Sequence, residues 1–149
     1  MMTELMGFLK NPIFHAGFFA WMTAQLIKIL IELVIDKRLN FKKIMASGGM
    51  PSSHSALVTA LSTSVGMTQG FGSPLFVVCA AFSFIVMYDA SGVRRAAGEQ
   101  AQALNQLLEE HQKFNDKETE QLREILGHSP LEVAAGAVLG IVIAVLVTP

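Results

Sequence analysis

Charge is scarce in this chain. Only 15% of its 149 residues are Asp, Glu, Lys or Arg, against 52% hydrophobic. The mean hydropathy of +0.47 is too high for an ordinary soluble domain. The net charge of −1 offers no basic excess, so no nucleic-acid partner is expected. Cysteine is nearly absent: the single Cys79 lies in an apolar run, which excludes an internal disulfide and leaves the redox compartment open. No cleavable leader is expected, because the first apolar run is long and no small-residue cleavage site clearly follows it. The length suits one domain, 1–149.

What the chain does have is four apolar stretches, at about 13–35, 54–71, 74–88 and 131–148. The first is long enough to span a bilayer, and the third is short. The second is diluted by Ser55, Thr59, Ser62, Thr63 and Ser64, so it is expected to face other helices rather than lipid. Two G-x-x-x-G pairs, Gly66/Gly70 and Gly136/Gly140, would permit close helix approach and association as a homo-oligomer. Residues 70–74, Gly-Phe-Gly-Ser-Pro, carry a tight-turn signal. The fold class that follows is all-α: an integral membrane bundle of about four transmembrane helices plus a helical cytoplasmic connection. A soluble all-helical bundle is the competing reading, and the span lengths weigh against it.

Four spans put the polar connections 36–53 and 89–130 on one side. They carry Lys37, Arg38, Lys42, Lys43, Arg94, Arg95, Lys113, Lys117 and Arg123, nine of the eleven basic residues. The positive-inside rule then makes both connections cytoplasmic in a multi-pass cell-membrane protein. Within the longer one, Val93, Ala97, Ala101, Leu104 and Leu108 repeat at helical spacing, and 118–126 is a candidate short helix.

This topology gathers chemistry at one membrane face. Gly48 and Gly49 permit backbone conformations closed to other residues, Pro51 suits the first turn of a helix, and Ser52 and Ser53 are its cap candidates. Such a start favours an anion, phosphate above all. His54 would stand beside it, able to pass a proton near neutral pH; an N-cap with an incidental histidine is the equal alternative. Glu132 follows His128 by four residues, so on a helix the two share a face. A carboxylate bonded to one ring nitrogen fixes the tautomer and leaves the other as nucleophile or base. A surface histidine beside a dipole-favoured glutamate is the plainer reading. Arg94 and Arg95 suit phosphate or serve as positive-inside anchors. Asp89 could orient one of them or hold a metal. Lys28 and Glu32, inside the first span at i, i+4, are either functional or a self-neutralising pair.

Three segments also carry a resemblance. Gly-Gly-Met-Pro-Ser-Ser-His-Ser-Ala at 48–56, Tyr-Asp-Ala-Ser-Gly-Val-Arg-Arg at 88–95 with Ala-Gly-Glu-Gln-Ala at 97–101, and Leu-Gly-His-Ser-Pro-Leu-Glu-Val at 126–133 resemble the divergent branch of the type 2 phosphatidic acid phosphatases. That branch is often labelled acid phosphatase/vanadium-dependent haloperoxidase-related, and the resemblance covers nearly the whole chain. The wider superfamily carries K-x6-R-P, P-S-G-H and S-R-x5-H-x3-D. Residues 51–54 resemble the second motif, with Ser53 in place of glycine. Arg123, His128 and Glu132 resemble the third, one residue shorter and with glutamate for aspartate. The first has no match.

The resemblance implies a membrane-embedded phosphatase-like domain acting on a lipid phosphomonoester or pyrophosphate. His128 would be the nucleophile, Glu132 its orienter and His54 the general acid. Ser52, Ser53, Arg94, Arg95, Arg123 and Lys28 are the candidates for holding phosphate. No metal and no cofactor are implied. Two other readings stand beside it: a non-catalytic membrane protein binding anionic lipid or a partner, and a metal-dependent lipid enzyme using Asp89, Glu99 and Glu132.

Overall fold

The computed structural model describes residues 1–36, 49–112, 122 and 127–149. Arg123 and most of the short helix expected at 118–126 lie outside the described residues. Within them the chain is helical: α1 (Met2–Leu9), α2 (Pro12–Asp36), α3 (Ser53–Gln69), α4 (Pro74–Tyr88), α5 (Arg94–Gln112) and α6 (Pro130–Val147). A π-helical turn, Asp89–Val93, joins α4 to α5.

Among the described residues three stretches are long and apolar enough to cross a membrane: Pro12–Ile35, Pro74–Leu108 and Pro130–Val147. The third expected span is therefore not short. Its helix runs on through the π turn into α5, and 35 residues rise about 52 Å, well beyond a ~30 Å hydrocarbon core. The excess is the polar part of α5. Through the π turn and α5 the expected apolar repeat is helical but mostly exposed. Val93 and Leu104 are exposed, whereas Ala101 and Asn105 are buried. Asn105 is enclosed because its side-chain amide bonds both backbone groups of Leu122, donating to the carbonyl at 2.7 Å and accepting from the N–H at 2.8 Å.

α3 is the most polar of the four bundle helices, and it is packed against α2, α4 and α6. Its hydroxyls face those neighbours, as expected. Thr59 donates to the Ala137 carbonyl on α6 at 3.1 Å. The Val58 carbonyl accepts from Ser83 on α4 at 2.9 Å. Ser64 accepts from Thr148 just beyond α6 at 2.8 Å. Such bonds replace water for polar groups at membrane depth. Around α3 the core is built from small side chains: Ala16, Ala20 and Ala24 of α2 meet Ala56 and Ala60 of α3 and Ala144 of α6. The outer faces are the opposite of a soluble protein's. Val77, Val78, Phe82, Phe84 and Ile85 of α4 are all more than half exposed, a patch suited to lipid.

The two glycine pairs have different fates. A Cβ on Gly136 would meet the Ser52 carbonyl and Ser55, and one on Gly140 would meet Thr59 and the Ala56 carbonyl. This pair is what lets α3 and α6 touch backbone to backbone. Gly66 and Gly70 do not join helices. The space at Gly66 is filled by the Phe71 and Phe76 rings, and Gly70 ends α3 with φ +91°. The 70–74 turn is as expected: Ser73 N–H donates to the Gly70 carbonyl at 3.1 Å, and Ser73 then caps α4 by accepting from Phe76 N–H at 3.2 Å.

Candidate active site

Helix direction brings the site together. α3 and α6 run parallel, since Ser52 N–H bonds the Glu132 carbonyl at one end (2.9 Å) and Ser64 bonds Thr148 at the other. α4 runs back beside α3 and ends at Asp89. The starts of α3 and α6 and the end of α4 therefore share one end of the bundle, as four alternating spans require.

The start of α6 is fixed by sequence-local chemistry. Ser129 is the N-cap and accepts from Glu132 N–H at 3.3 Å. Glu132 reaches back, its Oε2 accepting from Ser129 N–H at 3.0 Å. This reciprocal capping box holds the carboxylate in place. The same oxygen lies 3.1 Å from His128 Nδ1. Because Oε2 is already an acceptor from Ser129, Nδ1 is the donor, and Nε2 carries the lone pair. His128 is only 3% exposed, and its Nε2 is buried without a partner. A buried polar nitrogen left open in this way needs an explanation.

His128 is pinned from behind as well. Its N–H donates to the Ala90 carbonyl in the π turn at 2.9 Å. Gly127 precedes it with φ +89°, and a Cβ there would strike the Arg94–Arg95 backbone, so only glycine fits. Neither Gly127 nor the π turn was singled out from sequence. The glycine before the histidine was a readable turn signal, whereas an i→i+5 turn has no composition cue. π turns recur at functional sites.

His54, in the first turn of α3, faces His128 with ring centroids 6.3 Å apart. The two line a small cavity with Val86, Asp89, Ala90, Arg94 and Gly127. Its enclosed volume is about 20 Å³, room for one water. His54 is exposed at the mouth. Arg94 is also half-exposed there, with Nε held by Asp89 Oδ2 at 2.6 Å. Charges converge on this point: Arg94, Lys28 and Asp89 all act on His54, and Lys28 acts on His128 and Glu132 too. Burial pushes the His128 pKa below its usual value. The bond to Glu132 opposes that shift, and the Lys28 ammonium adds to it.

The remaining candidates stand elsewhere. Arg95 points away from the cavity and pairs with Glu99 at 3.0 Å on the exposed face of α5. Ser52 is fully buried as the N-cap of α3, accepting from Ser55 N–H at 3.3 Å. Both its hydroxyl and its N–H are thus engaged in the fold. Ser53 is buried as the first residue of α3. Pro51 precedes the cap rather than entering the helix. Among the described residues no ion pair joins Lys28 to Glu32, whose Oε1 is buried without a partner. Asp89, Glu99 and Glu132 have three different partners (Arg94, Arg95 and His128). Among the described residues no three His, Cys, Asp or Glu side chains group as a metal site, so the donor set of the metal-dependent alternative does not form.

Fold and site together describe a helical membrane protein with a histidine–carboxylate pair, a second histidine and an arginine at one end of its bundle. The family described as the divergent PAP2 family matches residues 9–143, and the chain belongs to it. It is 43% identical over 131 residues to a Bacillus subtilis (strain 168) protein named "Uncharacterized membrane protein YuiD", a match covering 80% of this chain and 83% of that one. No solved structure matches.

Proposed function

We propose that the protein is a membrane-embedded phosphatase that hydrolyses a phosphomonoester or pyrophosphate on a lipid at the cytoplasmic interface. The observation that carries this reading is His128: Nδ1 tied to a carboxylate, Nε2 buried and unpartnered, in a residue that lines one cavity with a second histidine and an arginine. Nε2 attacks phosphorus and the P–O bond to the lipid breaks. His54 gives its proton to the departing oxygen. Water then hydrolyses the phosphohistidine, releasing phosphate and freeing Nε2. Glu132 holds the ring and stabilises the imidazolium character that develops. Arg94 and Lys28 offset the negative charge of the phosphoryl oxygens. The phosphoryl group enters by displacing the exposed His54 and Arg94 side chains. The cytoplasmic side is inferred from the basic connections. The lipid is inferred from a site at head-group depth, in a bundle whose outer faces are apolar.

A second reading, binding of anionic lipid without turnover, is favoured by the Arg94–Asp89 pair, which engages the guanidinium Nε and places a carboxylate beside the phosphate position. Phosphate release from phosphatidic acid, phosphatidylglycerophosphate and a polyprenyl pyrophosphate in mixed micelles separates the two. Release that resists chelator and disappears in His128→Ala supports the phosphatase. Lipid binding by folded protein with no release from any of the three supports the binding role.

A further inference from the structure

Beside the site, on the flank facing the bilayer, α2 and α6 splay apart around a groove of about 550 Å³. Its walls are apolar throughout: Ile27 and Ile31 on α2, Leu131, Val138 and Val142 on α6, and Pro51 just ahead of α3. Pro51 adjoins Ser52 and Leu131 adjoins Glu132, the two residues joined by the 2.9 Å backbone bond beneath the site. Lys28 follows Ile27 on α2, and its charge reaches Glu132, His128 and His54. A hydrocarbon slot thus begins where the polar site ends, with a cation between them. That is the outline of an amphiphile with an anionic head.

The length of the slot selects its occupant. From Leu131 to Val142 a helix rises about 16 Å, close to half of the ~30 Å hydrocarbon core. One leaflet's acyl or prenyl chain matches that depth, whereas a helix from a second copy would run the full thickness. We infer that this groove seats one hydrocarbon chain of the lipid whose phosphate reaches His128, so that substrates are selected by a single chain threaded between α2 and α6. The inference rests on the phosphatase reading for the head group but not for the chain.

The test uses the full-length protein in phosphatidylcholine vesicles with hexadecyl phosphonate carrying a mid-chain diazirine. Photo-adducts are mapped by mass spectrometry. Adducts concentrated on residues 27–31 and 134–142, displaced by excess unlabelled hexadecyl phosphonate and depleted in Val138→Trp, are expected. Adducts as frequent on the exposed residues 77–85 of α4, or not displaced, would overturn the inference. So would cross-linking between copies through Val138→Cys, which would place a second chain in the groove. In parallel, Val138→Trp is expected to raise KM for hexadecyl phosphate roughly tenfold while leaving a short water-soluble phosphate unchanged. Leu146→Trp, on the exposed end of α6, should change neither. Localised adducts with no phosphate release from any substrate would remove the phosphatase reading and leave the groove. Release with scattered adducts would do the reverse.

Discussion

At the scale of single residues, the site is one histidine held by two hydrogen bonds, its ring to Glu132 and its backbone N–H to Ala90. Glu132 serves twice, as the return half of a capping box and as the acceptor for His128 Nδ1. Glu132→Gln should therefore lower kcat by about 10⁴-fold, the size of loss when an amide replaces the carboxylate that sets a catalytic histidine's tautomer. Its cost in stability should stay within about 0.5 kcal/mol, because a glutamine amide oxygen can still accept from Ser129 N–H in the capping box. Parallel kinetics and thermal unfolding in detergent check both; a stability loss with kcat intact would reduce Glu132 to a cap. His128 also sets a pH dependence. Its pKa is depressed by burial, so near and below about pH 6.5 the unfolded chain binds more protons than the folded one. Stability then rises with pH through that interval. The destabilisation is absent above the unfolded pKa, grows as pH falls toward the folded value, and is constant below it. Thermal midpoints should drop on acidification below about pH 6.5, less steeply in His128→Gln, and activity should show an acid limb as Nε2 is protonated. Of these groups, His54, His128, Glu132, Asp89 and Arg94 were readable from sequence, because their residue types and helix-end positions are chemical signals. Arg95 was not separable from Arg94 by composition. One residue of helical rotation, about 100°, decides which of them lines the cavity.

At the scale of elements, the spans and turns follow from apolar runs and from Ser-Pro starts, which place Ser73 and Ser129 as N-caps. The π turn does not follow, and it is the reason α4 continues into α5 instead of stopping at Tyr88. Nor could spacing alone distinguish the two glycine pairs, since only the packed partner shows whether the gap holds a backbone or a phenyl ring. Gly136→Leu should destabilise by 1–3 kcal/mol or more through overpacking, because a Cβ there meets the Ser52 backbone. Gly72→Ala, with nothing within 4 Å, should stay within about 0.5 kcal/mol. Unfolding midpoints of the two variants, compared in one detergent, test the assignment; equal losses would contradict it.

At the scale of the whole molecule, alternation of four helices is what joins His54, Asp89 and His128 at one end, and sequence order with span count was enough to foresee it. Orientation in the membrane rests on the basic connections. Single cysteines placed at Thr3 and Gln102 in a Cys79→Ser background should react with impermeant maleimide from opposite sides, Gln102 from the cytoplasm only. Labelling of both from one side would break the four-span topology. The chemistry itself is tested most directly by trapping. Protein mixed with lipid phosphate and quenched in base should yield a phosphohistidine on the peptide containing His128, absent from His128→Ala and coupled to phosphate release. Steady release with no phosphate on His128, or undiminished release by His128→Ala, would contradict a histidine nucleophile.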